Sequence, residues 1–402
     1  MIYLHRTIQT SQYGNINVAH NLIELVYVLP FIEHKLNNYP VDVDLQAKTV
    51  TLDKLTFIME LGKAGERISI RKNWDKTEFE YFCQGLSILR TVRHLDLSKG
   101  NIGEVGADSL SKAMAQRLPE LEYLYLSHNN IGEDTAQTIA RGFPNLTNLM
   151  YLDLSHNNIH NFGATSVLGV IWKLNNLRNL DLSHNNIQGF DAQIVNEGVE
   201  NVYALEDLNL STNGIGNEGA ESLSIIMKFF SLLKNLFLSH NNIGDDGACS
   251  IGRGVTKLTK LIYLDLSNNK IQDVGATNVV RGIGKLNSLR NLDLSHNSIQ
   301  GFDAELVSEG IVNVDALECL DLSNNNIGSE GVKSLSKVMK WFPQLKYLSL
   351  RHNNIGDDCA KRLSRGMVKL NKLKHIVLSH NNIGDIGAEE VIRQIGNLEL
   401  LS

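Results

Sequence analysis

The 402-residue chain contains no 18-residue apolar run, so nothing in it reads as a membrane span. The apolar stretch 22–32 is shorter, carries Glu24 and Pro30, and lies behind a polar start, which disfavours a secretory signal. Cysteine is scarce. Cys83, Cys249, Cys319 and Cys359 are scattered with no Cys-x-x-Cys pair, which argues against a disulfide framework and for free thiols in a reducing compartment. A basic stripe is lacking too: a net charge of -6 and a pI near 6.1 give no nucleic-acid footprint. No nucleophile–base pair and no phosphate-cradling loop stands out, so catalysis and a cofactor are not expected.

What the chain does have is a period. Ten 28-residue units follow one another without insertion or deletion, opening at Leu121, Leu149, Leu177, Leu205, Leu233, Leu261, Leu289, Leu317, Leu345 and Leu373. Each begins Leu-x-x-Leu/Ile-x-Leu, and nearly all continue Ser-x-Asn-x-Ile. A unit of this size has an apolar face that it buries only against its neighbours, so the period predicts a solenoid. An eleventh, 29-residue repeat starts at Val92 and has Gly100 where later units have Asn.

Within one unit, Leu152 and Leu154 alternate with polar residues as in a strand, Asn157 and Ile159 follow as a turn, and Val167, Ile171 and Leu174 recur at helical spacing. Repetition of strand, turn and helix requires parallel strands joined by helical crossovers. The expected fold is α/β: a right-handed solenoid shaped as a horseshoe, with a parallel β-sheet on the concave face and helices on the convex face. It spans residues 92–402 as eleven repeats. Residues 65–91, with Ile68-Ser69-Ile70 and then Phe79, Phe82, Leu86 and Leu89, read as a capping unit. Residues 1–64 show no repeat and read as a mixed α/β region, with a strand at Val50-Thr51-Leu52 and a helix over Leu55 to Leu61. The sequence stops at Ser402, where a twelfth unit would begin, without a polar cap. This predicts self-association through that end, or a truncated chain.

A longer rhythm overlies the first. LRNLDLSHNNIQGFDA at 177–192 returns as LRNLDLSHNSIQGFDA at 289–304, and HNNIGDDGA at 240–248 returns as HNNIGDDCA at 352–360. A four-repeat, 112-residue block is duplicated, and surface features are expected in pairs.

The string LxxLxLSxNxIGxxGAxxL, well shown by LECLDLSNNNIGSEGVKSL at 317–335, resembles the ribonuclease-inhibitor type of leucine-rich repeat over about residues 92–401. Relatives of this type, as the resemblance implies, include enzyme inhibitors, ligand-sensing arrays of immune receptors, GTPase-activating proteins and bacterial effectors, most of which bind protein. Few cysteines and uniform units set this chain apart from the vertebrate inhibitor, so inhibition of ribonuclease is not implied.

The asparagine column Asn129, Asn157, Asn185, Asn213, Asn241, Asn269, Asn297, Asn325, Asn353 and Asn381 is expected to be structural, since an amide both donates and accepts within a turn. Residues between the buried leucines should point to the concave side. There the chain places Tyr123, Tyr125, Tyr151, Asp153, Asp181, Phe237, Tyr263, Asp265, Asp293, Asp321 and Tyr347, flanked by Arg178, Lys234, Arg290 and Lys346. Stacked aspartates repel, which calls for a basic ligand or for compensation by the flanking cations. Tyr125, Tyr151 and Asp153 map by the 112-residue shift onto Phe237, Tyr263 and Asp265, predicting two related patches about 19 Å apart. A second column, His128, His156, His184, His240, His296, His352 and His380, follows the repeat rather than any metal-ligand spacing, and no metal is expected. It carries a weaker expectation of pH-sensitive partner binding between about pH 5.5 and 7.

The reading that results is a non-catalytic scaffold that binds a protein partner with basic elements on its sheet face, with no nucleic acid and no membrane. Its place is cytoplasmic, or inside a host cell reached by a non-Sec route. Regulation of a small GTPase is one alternative. An adapter or secreted bacterial effector using residues 1–64 for a second partner is another.

Overall fold

A computed structural model describes residues 15–17, 42–45, 66–71, 73–86, 91–198, 203–310 and 314–399. The chain divides into two compact units, residues 1–185 with 193–205, and residues 186–192 with 206–402. The first carries strands β1 (Asn15–Asn17), β2 (Asp42–Leu45), β3 (Arg67–Ile70), β4 (His94–Asp96), β5 (Tyr123–Tyr125), β6 (Tyr151–Asp153) and β7 (Asn179–Asp181). Each pairs parallel with the next. The second carries β8 (Asp207–Asn209), β9 (Asn235–Phe237), β10 (Tyr263–Asp265), β11 (Asn291–Asp293), β12 (Cys319–Asp321), β13 (Tyr347–Ser349) and β14 (His375–Val377), paired in the same way. Helices fill the crossovers, from Glu133–Ala140 and His160–Ile171 in the first unit to Asp245–Gly254, Asp273–Ile283 and Asp357–Met367 in the second. Each unit is thus a solenoid of strand–turn–helix repeats, a parallel sheet backed by helices. No helix among the described residues is long and apolar enough to cross a membrane.

The core follows from the strand pattern. From β4 to β13 the middle leucine of each strand and the leucine two positions later are buried, as at Leu152 and Leu154 or Leu264 and Leu266, while from β4 to β12 the residues on either side of the middle leucine stay half-exposed. Ile159 and Ile271 after the turn, and Val167, Ile171, Val279 and Ile283 on the helices, close the core from the other side.

Residues 66–86 form a unit of strand β3 and the helix Lys76–Gly85, whose N-terminus is capped by Asp75 accepting from the Glu78 N–H at 2.9 Å. Trp74 stacks on Phe82 at 5.0 Å and meets Phe79 edge-on at 5.3 Å. Upstream, β2 pairs with β3 with Asp42 opposite Arg67, so the ladder runs on into a stretch whose sequence shows no consensus. The strand expected at 50–52, the helix expected at 55–61 and Leu89 lie outside the described residues.

The asparagine amides tie successive turns together. Asn157 donates from Nδ2 to the carbonyls of Leu126, Leu154 and Ser155 at 3.0, 3.0 and 3.1 Å, and its Oδ1 accepts from the N–H groups of Asn129 and Ile131 at 2.8 and 3.1 Å. Asn269 does the same in the second unit, donating to Leu238, Leu266 and Ser267 and accepting from Asn241 and Ile243. Asn353 and Asn381 repeat the pattern on Leu322 and Leu350 one repeat earlier. One amide therefore satisfies backbone groups of its own turn and the preceding one, which neither water nor the short strands reach.

The duplication has a structural counterpart. In the repeats opening at Leu177 and Leu289 the helix starts late, at Ala192 and Ala304. The chain ahead of it runs extended and buries Phe190 and Phe302. Their N–H groups donate to Ser222 Oγ and Ser334 Oγ at 3.0 and 2.9 Å. The extended segment passes so close to the next helix that a Cβ on Gly219 or Gly331 would overlap the carbonyl of Gln188 or Gln300.

Asn185→Ala should lower stability by about 1–3 kcal/mol, because the Leu154 and Leu182 carbonyls at 2.9 and 3.1 Å and the Ile159 N–H lose their partner inside the stack. Gly331→Ala should cost about 1–3 kcal/mol by overpacking. Urea unfolding of each variant measures both losses, and an unchanged midpoint in either refutes the corresponding account.

Candidate functional site

The polar face of each sheet presents the side chains that flank the buried middle leucines. In the first unit β5 and β6 set Tyr123 opposite Tyr151 and Tyr125 opposite Asp153. The Tyr125 and Tyr151 rings lie 5.2 Å apart, Tyr123 and Tyr151 6.3 Å apart, and His94 on β4 stacks flat on Tyr123 at 4.1 Å. All three tyrosines are half-buried, so one face of the cluster stays open to a partner. Burial, with the Asp153 and Asp181 charges adding, pushes the Tyr151 phenol up to about 12, so it remains a neutral hydrogen-bond donor.

The second unit repeats the arrangement with variations. Phe237 and Tyr263 lie 5.4 Å apart, and Phe237 stands opposite Asp265. Burial, then Asp265 and Asp293, pushes Tyr263 up to about 12. Tyr347 meets His375 at 6.5 Å, three strands further on.

The aspartate column has two faces. One oxygen of each carboxylate is committed to the turn: Asp153, Asp181, Asp265, Asp293 and Asp321 accept through Oδ1 from the N–H of the serine two residues on, at 2.8–2.9 Å. Asn209 makes the same bond to Ser211 at 3.0 Å, so an uncharged acceptor serves this turn as well as a carboxylate. The negative charge is therefore surplus to the fold.

Two members of the column show what neighbours do to that charge. Asp96 is half-buried, which opposes ionisation, but bonds from Ser98 and an ion pair with Arg71 at 2.6 Å hold its carboxyl below the usual range. Asp293 has no such cation. It stands between Asp265 and Asp321 on adjacent strands. Burial raises its carboxyl above the ordinary aspartate value, those two charges add to the rise, and the Ser295 bonds only partly offset it.

The flanking cations do not relieve this row. Lys234 pairs with Glu206 at 2.6 Å, and Lys346 with Glu318 at 2.7 Å. Arg290 donates to the Ala316 carbonyl at 2.9 Å and lies 3.8 Å from Glu318. Arg178 donates to the Asn175 and Ala204 carbonyls at 3.2 and 3.1 Å. Of the two ways of accommodating stacked aspartates around Asp293, compensation by Lys234, Arg290 and Lys346 is not what the contacts provide.

The histidine column occupies the left-handed turn position, with φ between 52° and 58° at His128, His156, His184, His240, His296, His352 and His380. Asn268, Asn324 and Thr212 take that place in other repeats, so the column follows a turn backbone common to all the repeats. The imidazoles of His128, His156 and His184 stack at 4.2 and 4.0 Å. No three ligand-type side chains among the described residues gather around a point that could hold a metal.

The tyrosine register places His94 and His375 on this face from the sequence alone, whereas sequence reasoning did not single out Glu206 and Glu318. The glutamates precede the strands, and only coordinates reveal that they capture the cations.

Family models of leucine-rich repeats match residues 89–111, 120–146, 145–168, 176–196, 205–224, 231–252, 259–304, 317–336, 343–364 and 369–391. No curated protein sequence matches the chain. Among solved structures, the chain is similar to a TLR13–ssRNA13 complex (21% identity over 91% of this chain and 49% of that one, TM-score 0.57). It is also similar to the Toll–Spätzle complex of Drosophila (16% identity, 92% and 47% covered, TM-score 0.56). An internalin of Listeria monocytogenes matches at 19% identity over 85% and 87% of the two chains, with a TM-score of 0.48. The chain spans about half the length of the TLR13 and Toll chains.

Asp293→Asn should stabilise the protein by a few tenths to about 1 kcal/mol at pH 7, because the amide keeps the Ser295 bond and removes a like charge between two others. The sign follows from the raised carboxyl. Its penalty is absent below the unfolded aspartate range near pH 4 and grows as pH rises through the folded value, so the gain should vanish in acid. Thermal melts of both proteins at pH 3.5 and pH 7 check this. An equal gain at the two values would remove electrostatics as its source.

Proposed function

Because this chain belongs to the leucine-rich-repeat proteins, we propose that it is a non-catalytic scaffold whose sheet face docks a protein partner carrying basic, apolar-tipped elements. The observation that carries this reading is the half-open ring cluster Tyr123–Tyr125–Tyr151 beside carboxylates that keep one oxygen outside the turn. Rings on a rigid strand lose little freedom when covered, and aromatic anchors dominate the energetics of protein interfaces. The uncompensated row around Asp293 favours a cationic partner, since a basic side chain would remove a repulsion already present. The same row disfavours a nucleic-acid backbone on this face. The Toll structure is a complex with Spätzle, and it supports a protein ligand for a fold of this kind.

The regular 28-residue unit with a helix in each crossover supports the ribonuclease-inhibitor-like subtype of repeat. Four free cysteines support a reducing location, the cytoplasm or a host cell entered by a non-Sec route.

The test is affinity capture from the native cytosol with wild-type protein, Tyr151→Ala, Tyr263→Ala and, as a control on the helix layer, Val274→Ala. Protein retained by the wild type and the control should be lost from the tyrosine variants, at about a 10-fold or greater drop in affinity. It should also elute with salt. Equal retention by all four proteins would refute docking on this face.

A further inference from the structure

A second site lies in the helix layer of the second unit, away from the sheet face. The helices Asp245–Gly254 and Asp273–Ile283 approach closely because glycine sits at their contact: a Cβ on Gly282 would overlap the Gly252 carbonyl, and one on Gly252 would lie 2.5 Å from the Asn278 carbonyl. With only hydrogens on that floor, a cavity of about 190 Å³ opens between the helices. Arg253, Arg281 and Lys285 line it, with Asn278 and Cys249.

The charge there is one-sided. Arg253 and Arg281 bond neutral groups, Ser250 Oγ at 2.9 Å and Asn278 Oδ1 at 3.4 Å, and neither they nor Lys285 form an ion pair among the described residues. Asp245 holds the Gln272 and Gly275 N–H groups through Oδ1, and exposed Asp246 is the other carboxylate in the field of Cys249. Burial, then those two charges, raises the Cys249 thiol, so no thiolate offsets the cations at neutral pH. Arg281 Nε is buried with no hydrogen-bond partner, a donor whose desolvation nothing in the fold repays.

The internal duplicate supplies the control. At the equivalent positions of the second copy, Gly252 becomes Ser364, Asn278 becomes Glu390, Gly282 becomes Gln394 and Cys249 becomes Lys361. Arg393, the counterpart of Arg281, is paired with Glu390 at 2.6 Å. One copy neutralises its arginine internally and fills its floor. The other leaves both open.

We propose that this cavity binds a phosphoryl dianion, clamped by the two guanidinium groups and the Lys285 ammonium. Guanidinium forks match tetrahedral oxyanions and lysine adds a point charge. The volume suits one such group, being below the range of about 300–1,000 Å³ typical of larger small-molecule sites. The group can belong to free phosphate or to a phosphorylated side chain of a partner.

Calorimetric titration of the full chain with inorganic phosphate and, separately, with O-phosphoserine at fixed ionic strength tests this. One saturable site is expected, weakened about 10-fold or more by Arg281→Gln. Asn278→Glu should weaken it as much, by installing the internal partner found in the duplicate, and Arg393→Gln should leave it unchanged. Melting curves check that each variant folds. Tighter binding of phosphoserine assigns the site to a modified side chain, and equal or weaker binding assigns it to the free anion. No saturable binding of either probe, or binding that survives both Arg281→Gln and Asn278→Glu, overturns the proposal.

Discussion

Every strand here is too short to hold itself. Three or four residues of parallel ladder leave the following turn with backbone groups turned inward, where only a neighbouring repeat can meet them. The asparagine amide solves this by donating to two or three carbonyls and accepting one to three N–H groups, as Asn157 and Asn241 do. Because the amide reaches into the preceding turn, each repeat is completed by the next. The leucine columns then bury apolar surface cooperatively along each unit, and no single repeat is stable alone.

This division of labour frees the sheet face. Once turns are held by amides and the core by leucines, the residues flanking the middle leucine carry no packing duty, and rings and carboxylates can occupy them. The aspartates show how thin the boundary is. One oxygen closes the turn through the serine N–H, a job Asn209 performs uncharged, while the other leaves a charge that Asp293 holds only against its neighbours. A residue kept for architecture thereby also presets the electrostatic preference of the surface.

The fold was legible because the signal was repeated: the 28-residue period specified strand, turn and helix many times over, and strand alternation put Tyr151 and Asp153 on the open face. Features made by a single departure from the period were harder to read. The late helix start at Ala192 accompanies a close approach at Gly219 to the Gln188 carbonyl, which no periodicity announces. The pairing of Lys234 with Glu206 and of Lys346 with Glu318 depends on side-chain reach, so these cations, which the sequence offers as one of two ways of accommodating the aspartates, turn out to be engaged elsewhere. The strands at 15–17 and 42–45 carry no leucine motif, and only their pairing reveals them. The cavity at Arg281 arises from two glycines and one missing carboxylate, visible only when the two copies of the block are compared in three dimensions.

Asn213 is followed by Gly214, which has a φ of 125°. In solution that dipeptide ages by cyclisation: the glycine nitrogen attacks the side-chain carbonyl carbon, the bond to Nδ2 breaks and ammonia leaves, and water opens the resulting cyclic imide to a carboxylate that can no longer donate, one source of the thermal lability of asparagine. Here the Gly214 N–H is held by Asn241 Oδ1 at 3.0 Å, while Asn213 Nδ2 is tied to the Leu210 carbonyl at 2.9 Å. Attacking nitrogen and target amide are restrained by separate partners, so the next asparagine in the column protects this one from chemical decay.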